Sequence, residues 1–276
     1  MRFVDLFAGI GGFSLGLERA GMRCVGQVEI NSFCLAILAH HWPHVTRIGD
    51  IKNVKGNEFG AVELICGGVP CQPASYAGKR CGTSDSRWLW PEAFRVVRLY
   101  KPTWCIFENV SGLTSLEQGV VFDSLLSALE DCEYEVQSFI IPACAVDAPH
   151  RRDRVWIIAS LKRKNAADID GERLKEQWFS TPTKQENGST ERRCRWPSEP
   201  RVLRVADGVS NRVDRVRSLG NAVVPQIVEI IGRAIISTND IHPRPGAGGC
   251  SHAGRPHAAG VDSTERLQPR PAGSGC

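Results

Sequence analysis

From its first residue to about position 160 the chain alternates short apolar runs with longer stretches of helical spacing, and no other feature narrows its fold as far. Arg2–Phe7, Cys24–Glu29, Leu64–Gly67, Trp104–Glu108, Tyr134–Ile141 and Arg154–Ser160 read as strands, and Phe13–Ala20, Ser32–His40, Trp90–Leu99 and Val120–Asp131 as helices. Strands joined by crossover helices run parallel, so the alternation predicts a Rossmann-like, doubly wound α/β sheet. No helix separates the last two strands. A direct return of that kind requires an antiparallel hairpin at the C-terminal edge of the sheet.

The character of the chain changes beyond this domain of residues 1–160. Residues 161 to about 205 are charged and interrupted by Pro182, Gly188, Pro197 and Pro200, which predicts a small separate lobe. Order returns from Leu219, and Gly220–Pro225 leads into Gln226–Ile236, where Ile227, Ile230, Ile231 and Ala234 share a helical face. The segment 206–238 is therefore expected to rejoin the first domain. Residues 239–276 are rich in Gly, Pro, His and Arg and too poor in apolar side chains to offset the entropy of ordering them, so a disordered tail is expected.

With 276 residues, 42% of them hydrophobic, the chain can bury a sizeable core. No run of 18 apolar residues occurs, and Asp5 comes too early for a signal peptide, so neither membrane insertion nor export is expected. The 11 cysteines are odd in number, scattered and without C-x-x-C spacing, which fits a reducing, cytoplasmic setting better than a disulfide framework. A net charge of +4 permits a polyanionic partner without requiring one. The arginines are clustered, however, with Arg151, Arg152 and Arg154 in one group and Arg192, Arg193, Arg195, Arg201 and Arg204 in another. His40-His41-x-x-His44 has no acidic or cysteine partner at ligand spacing and reads as a helix end before Trp42-Pro43; no metal is expected.

Three short stretches carry chemistry. Gly9-x-Gly11-Gly12, between a strand and a helix, permits a tight turn and lets a ligand approach the amides at the helix start. A dinucleotide fingerprint would place a third glycine where this chain has Ser14. Glu29 ends the next strand and is placed to accept ribose hydroxyls, and Asp50 ends the following segment within reach of an adenine amino group. Cys24, Cys34, Cys66 and Cys105 read as small buried hydrophobes. Cys71 differs: it follows a strand and the Gly67-Gly68 pair, with Pro70 before it and Gln72 and Ser75 after it. That sets a thiol at the carboxyl edge of the sheet, where open α/β folds bind ligands. Glu108, ending another strand, aims a carboxyl group at the same edge, and burial that raises its pKa would let it donate a proton to a base ring. Asn109 beside it can satisfy backbone groups or fix a loop.

Asp5–Gly12, Gly67–Gln72, Glu108–Val110, Arg152-Asp153-Arg154 and Gly220–Gln226 stand in the order of the motif series of bacterial and phage cytosine-5 DNA methyltransferases. The chain resembles that family up to about residue 236; any one of these motifs could arise by accident, but their concordance could hardly do so. The resemblance implies an S-adenosylmethionine-dependent methyltransferase sheet, mostly parallel with a C-terminal antiparallel hairpin, plus a small target-recognition lobe. Cys71 matches the nucleophile that adds to C6 of cytosine, making C5 nucleophilic toward the methyl group of S-adenosylmethionine. Glu108 would hydrogen-bond or protonate N3, Arg154 would contact O2, and Arg152 would support the site. On the cofactor side, Phe7, Gly9, Ile10, Gly11 and Gly12 would form the first turn, with Glu29 and Ile30 at the ribose and ring and Asp50 and Ile51 at adenine. Pro70 would stand beside the nucleophile, and Asn221 and Val223 would close the pocket.

The implied partner is duplex DNA, whose target base must be flipped out of the stack to be reached. Gln72, Ser75, Lys79 and Arg80 would close over the DNA, with Asp85 and Arg87 ordering their loop. Arg195, Arg204 and the neighbouring arginines, with Arg212, Arg215 and Arg217, would divide between phosphates and guanine edges. A monomer is expected, and the resemblance leaves room for a cognate restriction endonuclease acting separately. Ala74 and His150 stand where the family often has Phe and Gln, changes that touch loop packing rather than reacting groups. Two other readings stay open: the same chemistry on cytosine in transfer RNA, and a non-catalytic DNA-binding regulator that keeps the cofactor. A nicotinamide-dependent dehydrogenase is the weakest.

Overall fold

The sheet is built outward from β1 (Arg2–Leu6), whose apolar residues are buried on both faces. The computed structural model describes residues 1–70, 88–162 and 212–241. From β1 the chain steps to β2 (Arg23–Val28) and β3 (Thr46–Ile48), then crosses back to place β4 (Leu64–Gly68) and β5 (Trp104–Val110) on the other side. These five strands are parallel. β6 (Tyr134–Pro142) returns through a short 3-10 helix, Ala143–Val146, where no helix is expected, into β7 (Asp153–Leu161), which inserts antiparallel between β5 and β6, giving the order β3-β2-β1-β4-β5-β7-β6. The doubly wound sheet and its terminal hairpin are thus as the apolar alternation predicts. The direction of winding reverses between β1 and β4, and that switch point opens a crevice beyond their carboxyl ends.

Each face of the sheet has its own core. On one, Val4, Leu6, Ile65, Phe107 and Ile157 pack with residues of α3 (Trp90–Tyr100) and α4 (Val120–Glu130). On the other, Phe3, Leu64, Ile106 and Trp156 pack with α1 (Gly12–Arg19) and with Ile227, Val228, Ile231 and Ile235 of α6 (Pro225–Ile241). Two further helices, α2 (Ser32–His41) and α5 (Arg212–Asn221), complete the α-helices among the described residues. The stretch Ser218–Thr238 is long and apolar enough to cross a membrane, but it is interrupted at Ala222–Val224 and its apolar face is committed to this core.

The contact between α1 and α6 depends on missing side chains. Gly12, Gly16 and Ala20 recur every four residues and so form one ridge of small residues along α1. A Cβ on Gly16 would lie 2.5 Å from Val228 Cβ and 2.6 Å from the Pro225 carbonyl oxygen, and one on Gly232 would lie 2.9 Å from Ala20 Cβ. The helices meet at backbone distance because nothing stands between them.

The structure also adds elements that the apolar pattern does not announce. β3 is a three-residue edge strand without a buried residue, too short to show a period. β5 runs on to Val110, so Glu108 lies within the strand rather than at its end. α5 starts at Arg212, well before Leu219; its three apolar residues, Val213, Val216 and Leu219, are too few among the charges to announce a helix. α6 extends to Ile241, beyond the boundary expected at 238, since an established helix adds a hydrogen bond with each further residue.

Replacing Gly16 by Leu should lower the unfolding free energy by about 1–3 kcal/mol through overpacking. Gly49→Ala, where nothing lies within 4 Å of the added atom, should change it by less than about 0.5 kcal/mol. Urea midpoints of the two variants at constant m-value check this contrast.

Candidate active site at the carboxyl edge of the sheet

The turn after β1 is held in a conformation that only a dense set of contacts can enforce. Phe7, Gly9 and Gly11 have φ of 56°, 55° and 89°. For Phe7 the left-handed region costs about 1–2 kcal/mol, the kind of strain found where a ligand must be met. Ala8 N donates to the Val28 carbonyl at 3.0 Å and Gly11 N to the Ala8 carbonyl at 2.8 Å. The Glu29 carboxylate reaches across from the end of β2, accepting from Gly9 N at 2.8 Å through Oε2 and from Asn31 N at 2.8 Å through Oε1. The Trp42 ring closes the underside: a Cβ on Gly11 would strike it. Trp42 Nε1 in turn donates to Glu18 at 2.8 Å, tying the end of α2 to α1.

Beneath the turn lies a buried polar cluster. Asp5 Oδ2 accepts from Ser14 N at 3.1 Å and from Ser14 Oγ at 2.8 Å, and Gln27 Nε2 donates to the same hydroxyl at 3.0 Å. All three residues are fully buried, and Asp5 and Gln27 stand opposite each other in the β1–β2 register. Burial pushes the Asp5 carboxyl up to about 7 despite the Ser14 hydrogen bonds, and the nearby Glu29 charge adds to the rise.

The acid end of the site lies across the switch point. Glu108 is 6% exposed and sits opposite Gly68 of β4, where a Cβ would approach Glu108 Oε2 to 3.3 Å; the glycine leaves the carboxyl group room. Arg154 Nε stands 2.9 Å from Glu108 Oε1, off the direction of an aligned hydrogen bond, so the contact is chiefly one of charge. Burial raises the Glu108 pKa and outweighs the opposing pull of Arg154 and Arg152. Asn109 reaches back to β4, its Nδ2 donating to the Val69 carbonyl at 3.0 Å while its Oδ1 accepts from Val110 N at 2.9 Å. It thereby fixes the strand exit that leads to Pro70 and on to Cys71.

The C-terminal segment meets the same turn. A Cβ on Gly12 would lie 2.8 Å from Val223 Cγ2 and 3.2 Å from the Val223 carbonyl oxygen. Asn221, two residues earlier, is exposed. Ile30 is exposed at 74%, whereas Ile51 is buried at 4%. Asp50 caps the short 3-10 turn Ile51–Asn53, accepting from Lys52 N at 2.9 Å. Cys71, Gln72, Ser75, Lys79, Arg80, Asp85, Arg87, Arg195 and Arg204 lie outside the described residues, as do the side chains of Arg212, Arg215 and Arg217. Contacts that sequence reasoning missed include Trp42 under Gly11, the Asp5–Ser14–Gln27 cluster and the clearance at Gly68. Only Gly68 carried a signal, as the second of a glycine pair.

A doubly wound sheet ending in an antiparallel pair, with a glycine turn at its switch point and a buried acid on the strand beyond, is of the Rossmann-like α/β class. The model of the C-5 cytosine-specific DNA methylase family matches residues 1–200, and the chain belongs to that family. Among similar proteins, the type II methyltransferase M.HgiCII of Herpetosiphon aurantiacus is 38% identical over 172 residues, 61% of this chain and 39% of its own length. The type II methyltransferase M.HhaI of Haemophilus parahaemolyticus is 31% identical over 159 residues, 57% of this chain and 48% of its own. The match thus spans less than half the length of either relative. The crystal structure of S. pombe Dnmt2 methyltransferase superposes with a TM-score of 0.54 at 21% identity, covering 69% of this chain and 58% of that one, a likeness of fold alone.

The Asp5 carboxyl, near 3.9 in an unfolded chain, holds its proton to about 7 in the folded one. The folded state then binds more protons between those values, and stability falls as pH rises through that window. Asp5→Asn cannot titrate, so its stability relative to the parent should rise between about pH 4 and 7 and then level off. Chemical denaturation across that range measures the difference; a constant offset would contradict the raised carboxyl.

Proposed function

We propose that this chain transfers a methyl group from S-adenosylmethionine to C5 of cytosine in DNA. The observation that carries the reading is Glu108, a buried carboxylic acid with a raised pKa at the strand edge beside the exit to Cys71, flanked by Arg154. Membership of the cytosine-specific methylase family supports the same reaction.

In this reading the flipped cytosine lies over Gly68 between the Cys71 thiol and Glu108. The Cys71 thiolate forms a bond to C6, the C5–C6 π pair moves onto C5, and Glu108 gives its proton to N3. Arg154 holds O2, and Arg152 adds positive charge beside it. After C5 has taken the methyl group, a base, expected to be water, removes the C5 proton. The pair from that C–H bond re-forms C5=C6, the thiolate leaves, and the N3 proton returns to Glu108. Each bond made to the enzyme is broken again, so Cys71 and Glu108 end as they began.

The residues present fit S-adenosylmethionine. Each Glu29 oxygen accepts one backbone N–H, leaving lone pairs for ribose hydroxyls. The exposed Ile30 beside it offers an apolar surface to the ring, and Asp50 and Ile51 stand for the adenine end. Phe7, Gly9, Ile10, Gly11 and Gly12 supply the turn, with Pro70, Asn221 and Val223 at its margins. When bound, the cofactor supplies an electrophilic methyl group. Gln72, Ser75, Lys79, Arg80, Arg195 and Arg204 are proposed DNA contacts.

Bisulfite sequencing of plasmid and chromosomal DNA from a methylation-free bacterial host expressing the chain tests the proposal. Methylcytosine in one short sequence, absent with Cys71→Ala, is the expected outcome; unmodified DNA alongside soluble, folded protein would overturn it. Glu108→Gln keeps a donor but no transferable proton, and should lower kcat by about 10²-fold or more.

A further inference from the structure

The short turn after β3 is gripped by a cation from a distant helix. Arg95 of α3 donates from Nη1 to the Val54 carbonyl and from Nη2 to the Ile51 carbonyl, each at 2.7 Å, while its Nε donates to Glu92 Oε2 at 2.7 Å. The turn's own hydrogen bonds are few: Asn53 N donates to the Asp50 carbonyl at 2.9 Å, Val54 N to the Ile51 carbonyl at 3.2 Å, and Lys52 N to the Asp50 side chain at 2.9 Å. A single 3-10 turn is too short to be stable alone. Arg95 gives the Val54 carbonyl its donor and adds a second, shorter one to the Ile51 carbonyl, so it clasps the turn at both ends. Glu92, one turn earlier on α3, orients the guanidinium plane so that both outer nitrogens face the turn. Ile51 and Val54 are buried in the same core as Val96 and Val97 of α3, so the polar grip and the apolar anchor act on one segment. Lysine could not replace this fork, since a point charge on a flexible stem cannot span two fixed carbonyls and a carboxylate together.

We infer that Arg95 is a positioning residue for the adenine end of the cofactor site, setting where Asp50 and Ile51 stand; the inference rests on the cofactor reading proposed above. Arg95 touches neither the cofactor nor the base. Its effect is confined to the turn, and so to recognition of the ring rather than to the thiol or the acid.

The test is binding of two probes to the full chain, S-adenosylhomocysteine and its inosyl analogue, in which an oxo group replaces the amino group that Asp50 would accept. The wild-type chain should prefer the adenosyl probe. Arg95→Lys and Arg95→Met should weaken adenosyl binding by about tenfold, the scale of one hydrogen bond with a charged donor. Inosyl binding should fall less, so the preference shrinks. Amide exchange at residues 52–54 should also quicken in the ligand-free variants. Arg98→Met, an exposed change on the same helix, should leave preference and exchange unaltered. Arg95→Lys retains the charge and serves should Arg95→Met fail to fold. Lower thermal stability with an unchanged preference would reduce Arg95 to a structural staple and overturn the inference alone. A folded wild-type chain that binds neither probe would overturn the cofactor reading and the inference with it.

Discussion

Close backbone approach along α1 is the constraint on which the remaining structure depends. Gly11 admits the Trp42 ring, Gly12 admits Val223, Gly16 admits Val228 and Pro225, and Ala20 meets Gly232. One short helix thus gathers the first turn, the end of α2 and the C-terminal helix. The partners in α6 lie some two hundred residues along the chain, yet closure entropy grows only logarithmically with loop length. A side chain on this ridge would part the helices and open the core that seals one face of the sheet. The same contacts that stabilise the fold therefore shape the glycine turn.

Burial makes acids of Asp5 and Glu108 alike, but their surroundings give them different roles. Both lie on the face covered by α1 and α6, since Asp5 pairs with Cys66, Cys66 with Ile106, and Glu108 follows Ile106 with the alternation of the strand. Asp5 is enclosed by neutral partners, Ser14 and Gln27, and is bound into the root of the turn. Glu108 instead has Arg154 on one side and the clearance over Gly68 on the other. An acid with a cation behind it and space before it can hold a proton until a base arrives, whereas one enclosed by hydroxyl and amide can only hold the backbone in place.

What the sequence reveals follows from periodicity and punctuation. Parallel strands buried on both faces are near-continuous apolar runs, so β1, β2, β4 and β5 are visible, and the absence of a crossover helix between the last two strands betrays the hairpin. β3 is invisible because a three-residue edge strand has no period, and α5 because Val213, Val216 and Leu219 make too short a stripe to stand out among Arg212, Asp214, Arg215 and Arg217. At the proposed site, the placement of Glu29 and Arg154 near strand ends is legible from the apolar runs they border, whereas Glu108 stands two residues inside the end of β5, because the polar Asn109 hides the strand's last step. Arg95 and Trp42 are not legible. One serves carbonyls, which any sequence possesses, and the other fills the space left by a glycine; neither relation leaves a spacing to read. Asn109 falls between: its side chain announces a hydrogen bond, but not that the partner is the Val69 carbonyl at the exit toward Cys71.

The antiparallel hairpin has a chemical consequence at the carboxyl edge. In a parallel sheet every strand begins at the far edge, so residues at a strand's start stand away from the ligand crevice. Because β7 runs against β5, its first residues lie beside the last residues of β5: Arg154 pairs with Val110, and Trp156 with Glu108. Glu108 and Arg154 are thus diagonal neighbours on one face, near enough for the 2.9 Å contact. Were β7 parallel, the same arginine would lie beside Trp104 at the opposite end of β5, four residues and about 13 Å from the acid at some 3.3 Å per residue. The cations that temper Glu108 and face the proposed base site therefore reach it by reversal of a single strand, and a hairpin that looks like a mere variation in topology is what brings Arg152 and Arg154 to the acid.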